Sequence, residues 1–155
     1  MNERLKLYLE EYLFDNQKET FSSLKCRSIF QEEDISTFID NNKDENYFQK
    51  LLFNHIDKKG LKDSDVYNKV NIDRRLFSKI RSDSNYHPSK ETIILLGLSL
   101  ELNEEEIVEL LASSSYSLPK NNHFDLIIRF CFIENIYNVI KVNELLESYN
   151  CKLLV

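Results

Sequence analysis

Glycine is nearly missing from this chain: Gly60 and Gly97 are the only two in 155 residues. That scarcity excludes the glycine-rich loops that cradle phosphates, and neither GxGxxG nor GxxxxGK(S/T) occurs. Proline is as rare, with Pro88 and Pro119 alone, and tryptophan is absent. The three cysteines, Cys26, Cys131 and Cys151, are odd in number and scattered, so no disulfide framework is expected and a reducing compartment is. His55, His87 and His123 are widely spaced and Cys26 has no neighbouring ligand type, so no metal site and no cofactor are expected. The apolar runs fall far short of the roughly 18 residues of a membrane span. The opening Met1, Asn2, Glu3, Arg4 is unlike a signal peptide. The expectation is a cytoplasmic protein with no membrane partner.

What is there is helical in character. Leu, Lys, Glu and Asn dominate and β-branched runs are short, which points to an all-α fold. The net charge of -6 is unevenly spread. Residues 58–90 hold 9 basic and 4 acidic side chains, whereas residues 1–57 hold 7 and 12 and residues 91–155 hold 4 and 10. Phosphate contacts dominate nucleic-acid affinity, so any such contact here must be local to the basic window. The acidic flanks Glu10–Glu11, Glu32–Asp34 and Glu104–Glu106 would repel DNA or attract a basic partner, although local helix capping also accounts for the last two.

Residues 3–14 have the spacing of an amphipathic helix, residues 15–31 have too short a pattern to assign, and residues 32–40 read as a short helix before a polar linker at 41–46. From Tyr47 the apolar stripe Phe48, Leu51, Leu52, His55, Ile56 predicts a helix stopped by Gly60. Residues 63–70 and 74–82 form two short helices, with Val66, Tyr67, Val70, Phe77 and Ile80 inward. Asn71 suits a left-handed turn position and Asp73 a cap. Pro88 sits at the start of a helix running to about Leu100, and Asn103 with Glu106 forms a capping box for residues 104–112. Residues 122–134 are apolar on most faces and 142–148 make a last short helix. The expected organisation is an N-terminal helical subdomain or arm over 1–45, a central domain over 46–113 and a C-terminal helical extension over 114–155.

The stretch from Phe48 to about Leu111 resembles the lambda Cro/CI-repressor-like (XRE-type) helix-turn-helix domains. Val66 and Tyr67 match core positions of the first motif helix, Asn71 the turn glycine, Ile72 the apolar residue after it, Asp73 the cap, and Phe77 with Ile80 the buried positions of the recognition helix. The resemblance implies a five-helix helix-turn-helix core with flanking helices. Three positions depart from the pattern: Tyr67 replaces a small residue, Arg81 stands where the family often has glutamate, and Leu76 holds a site usually exposed near DNA. The wider stretch from Asn46 to Leu154 also resembles a module in proteins of low-GC Gram-positive bacteria and their mobile elements.

Functionally the resemblance implies a DNA-binding regulator. Arg74, Arg75, Ser78 and Lys79 would face double-stranded DNA, and Arg81, Lys62, Lys69 and Lys90 would clamp its backbone. The alternative is a protein-interaction module, such as a phage or mobile-element inhibitor of a host nucleic-acid enzyme or defence protein, with Leu76 as a rimmed anchor. Phe130, Phe132 and Ile133 lie on different faces of one helix, which suits a homodimer contact as well as core packing. No catalytic set is expected: His55 lies on an apolar stripe, and His123 and Cys131 are eight residues apart, about 12 Å along a helix.

Overall fold

The computed structural model describes residues 32–154, which contain eight helices and no strand. The chain divides between Asp44 and Glu45 into two compact units. The all-α expectation therefore holds for the described residues. The helix expected over 3–14 and the unassigned stretch 15–31 lie outside them.

In the first unit, helix α1 spans Glu32–Asn42, two residues longer than the apolar pattern suggests. The side chain of Asn42 donates to the carbonyl of Phe38 at 2.8 Å, closing the last turn on itself. Ile35, Phe38 and Ile39 share one face at three- and four-residue spacing, and all three are exposed.

The second unit has seven helices: α2 (Tyr47–Lys58), α3 (Asp63–Lys69), α4 (Arg74–Ser82), α5 (Lys90–Ser99), α6 (Glu104–Ala112), α7 (His123–Ile133) and α8 (Val139–Ser148). α5 is the hub. Every residue from Ile93 to Ser99 is buried, as expected of a helix that is apolar all round. It packs on α3 and α6, α6 packs on α2 and α7, and α7 packs on α8. One core runs from Leu52 and Ile56 through Ile93, Leu96 and Ile107 to Ile128, Phe132, Val142 and Leu146. At Gly97 the helices come so close that a β-carbon would lie 2.4 Å from Ile107 Cδ1 and 3.2 Å from the Phe132 ring.

Six of the seven helices end in the same way. A residue in the left-handed region follows the last turn, at Gly60, Asn71, Glu101, Ser115, Asn135 and Asn150. The next residue, Leu61, Ile72, Leu102, Tyr116, Ile136 or Cys151, donates its amide to the carbonyl five residues back. This is the Schellman stop, completed in each case by an apolar or weakly polar side chain. With glycine so rare, the chain uses it at one of these stops and places L side chains at the other five.

Three local expectations are corrected. Pro88 is not the first residue of α5: Ser89 is the cap, accepting from the Thr92 amide at 3.2 Å, and Pro88 is buried one residue outside. The Pro88 carbonyl accepts from the Tyr116 hydroxyl at 2.9 Å, so the proline seals a loop contact. The last helix begins at Val139 because the Asn138 side chain accepts from the amides of Ile140 and Lys141. Phe132 is 1% exposed and belongs to the core, so it offers no surface to a partner, unlike Phe130 and Ile133 beside it.

Candidate nucleic-acid interface

The basic window folds into α3, a tight turn and α4. Asn71 takes φ 56° in the turn, and the Ile72 amide reaches back to the Tyr67 carbonyl at 2.9 Å. The Asp73 carboxylate then accepts from the Arg75 amide at 2.8 Å and starts α4. α3 is only seven residues long, too short to hold itself together, and α5 supplies the anchor: Ser99 Oγ donates to the Val66 carbonyl at 2.6 Å. Phe77 fixes the pair of helices from inside, with its ring 5.5 Å from Tyr67 and 6.4 Å from Phe53.

α4 is sharply two-sided. Phe77 and Ile80 are buried, while Arg74, Arg75, Ser78, Lys79 and Arg81 are exposed. Between α3 and α4 runs a groove of about 550 Å³ over Phe77, whose lining includes Lys62, Arg74, Ser78 and Arg81. Asp63, Ser64 and Tyr67 complete it from α3, and none of these was singled out from sequence as a groove residue. The spacing of α3 could have indicated Ser64 and Tyr67, which lie three residues apart on one helix face.

The structure separates the eight cationic and polar candidates into two groups. Arg74 and Arg75 make no ion pair with any described residue, Ser78 is exposed beside them, and Lys79 lies 5.6 Å from the Tyr86 ring centre. Lys62 is exposed at the groove, its own amide donating to Asp65 at 3.2 Å. These five are brought together around α4.

The other three have structural partners. Arg81 pairs with Asp63 at 2.7 Å and lies 4.1 Å over the Phe53 ring. Lys69 bonds to Glu101 at 3.1 Å and to the Ser99 carbonyl at 3.4 Å, capping the end of α5. Lys90 is bound to Asp125, whose side chain is 6% exposed, and that contact ties α5 to α7. Leu76 is half-buried against the core and does not stand out as an anchor.

The three histidines occupy separate settings. His55 is buried with Nδ1 3.5 Å from Glu106, His87 bonds to the Ser114 carbonyl at 2.7 Å, and His123 packs on Tyr149. Cys131 is buried, and loss of hydration pushes its thiol up to about 11, away from the range of a reactive thiolate. In comparison with known proteins, the chain matches no family model, no curated protein and no solved structure.

Proposed function

We propose that this chain binds duplex DNA through the exposed face of α4. The observation that carries the reading is the placement of Arg74 and Arg75. Both sit in the first turn of a helix whose acid at that end is the capping Asp73 alone. The N-terminal end of a helix is its positive end, so each arginine costs about 0.3–1 kcal/mol where an acid would stabilise. α6 shows the opposite arrangement, with Glu104, Glu105 and Glu106 in its first turn. The two arginines therefore gain nothing from the helix dipole, make no ion pair with any described residue, and in this reading stand where a groove-reading helix presents its side chains to base edges. Lys62 flanks Arg74 across the groove and exposed Lys79 follows Arg75 by one helical turn, and in this reading both contact phosphates. In this reading the α3–α4 pair is the helix-turn-helix that the sequence resembles, and the chain acts as a regulator of the DNA it binds. A protein partner docking at α4 is less well supported, because Leu76, its only apolar anchor, is half-buried and the surface around it is charged.

Fluorescence anisotropy with the full chain and a pool of short duplexes tests this. Binding is expected to weaken with salt, with a log–log slope of roughly -2 if Lys62 and Lys79 neutralise phosphates while Arg74 and Arg75 reach base edges. Arg75→Ala with Lys79→Ala should remove binding while unfolding stability stays within about 0.5 kcal/mol, as for other exposed substitutions. Failure of the wild-type chain to bind any duplex at low salt would overturn the reading.

A further inference from the structure

We propose that α7 pairs with α7 of a second copy, antiparallel across a two-fold axis near Phe130. The inward side of α7 carries Ile128, Cys131 and Phe132, all buried. Its outward side should then be polar, yet Leu126, Phe130 and Ile133 lie there, 40%, 50% and 50% exposed. Their spacing of four and then three residues makes one straight stripe along the helix, the spacing of a helix–helix seam. Beside the stripe is an apolar groove of about 440 Å³ between α7 and α8, walled by Leu126, Ile127, Phe130, Leu145 and Tyr149, with His123 at one end. Arg129, beside Phe130 in the chain, is turned away from the stripe, bonded to Glu104 at 2.7 Å and to the Leu118 carbonyl at 2.6 Å.

Two features of the stripe select a second copy as its occupant. First, the stripe reads nearly the same in both directions, with a large aliphatic group on either side of Phe130. An antiparallel copy sets Leu126 against Ile133 of the other chain and brings the two Phe130 rings together over the paired grooves. Every contact off the axis then occurs twice, as a closed two-fold interface requires. Second, the ends of α7 are complementary in charge. Exposed Lys120 stands just before its N-terminal, dipole-positive end, where the charge of Asp125 is already taken up by Lys90, and exposed Glu134 caps its negative end. Antiparallel pairing brings each end against its opposite. The contact is small by the standard of stable complexes, so the association expected is reversible and on the order of micromolar. This inference stands on the α7 surface alone and does not depend on DNA binding.

Sedimentation of the full chain over a wide concentration range is the test. The wild-type chain is expected to pass from monomer to dimer, and Phe130→Glu to raise the dissociation constant at least about tenfold. Ile140→Glu serves as the control, since Ile140 is 70% exposed but does not line the groove. Glu134→Lys should loosen the dimer several-fold, and adding His123→Glu should restore it. A chain that stays monomeric throughout overturns the proposal, as does a dimer that resists Phe130→Glu or breaks with Ile140→Glu. A dimer that Glu134→Lys leaves intact, or that His123→Glu fails to rescue, overturns the antiparallel arrangement.

Discussion

Lys90→Ala is expected to destabilise the fold by about 3 kcal/mol, the scale for stripping one partner from a buried ion pair. The Asp125 carboxylate is 6% exposed, and its remaining partner is the Asn122 side-chain amide at 2.6 Å. That amide is neutral and cannot balance the buried charge. Lys90 also reaches over the Phe124 ring at 5.9 Å, so α5 loses its ammonium contact with two side chains of α7 at once. Lys62→Ala provides the comparison, because Lys62 is exposed and should change stability by less than about 0.5 kcal/mol. Urea unfolding of the two variants separates these roles. Equal midpoints for Lys90→Ala and Lys62→Ala would show that Asp125 does not depend on Lys90. Duplex affinity per folded molecule is expected to be unchanged in Lys90→Ala, since its charge is spent inside the fold.

The second large effect is at Gly97. Alanine there gains up to about 1 kcal/mol of helix propensity, yet the net result is expected to be a loss of about 2 kcal/mol. The added methyl would lie 2.4 Å from Ile107 Cδ1 on one side and 3.2 Å from the Phe132 ring on the other. Both neighbours are fully or almost fully buried, so neither can swing into solvent. The first atom struck belongs to Ile107, and Ile107→Val removes it. The double variant Gly97→Ala, Ile107→Val is therefore expected to be more stable than the sum of the single changes allows, by about 1 kcal/mol. Strict additivity in thermal or urea unfolding would locate the obstruction elsewhere, at Phe132.

What could be read from sequence here was local. Asn71 in its left-handed turn, Asp73 and Asn103 as caps, and the inward faces of α3 and α4 all follow from groups within a few residues of one another. The side chains that look outward on α4 follow from the same periodicity. What stayed hidden depends on contacts between distant segments. Lys90 meets Asp125 across 35 residues, Lys69 meets Glu101 across 32, and Arg81 meets Asp63 across 18. A count of charges in a window treats these three cations like Arg74 and Arg75, although each already has a counter-charge in the fold. α7 posed a different problem: apolar on most faces, it gave no continuous polar face from which to decide that Phe132 turns inward while Phe130 and Ile133 turn out.

The recurrent helix stop also leaves a reserve of stability unused. At Ser115 the chain holds an L residue at φ 64°, and its amide contact to Ala112 at 3.0 Å comes from the backbone, not from the serine side chain. A non-glycine residue in that region carries a strain of roughly 1–2 kcal/mol, partly offset by the greater freedom glycine has when unfolded. Ser115→Gly is thus expected to raise stability by about 0.5–1 kcal/mol, and to show it as a higher melting temperature with no change in the surface of α4 or α7. A melting temperature that falls would mean that the serine is held by more than its backbone. The same exchange is open at Asn150, but not at Asn135, whose side-chain oxygen accepts from the Tyr137 hydroxyl at 2.9 Å, so the protein could be hardened at its loops while its core and its basic helix stay as they are.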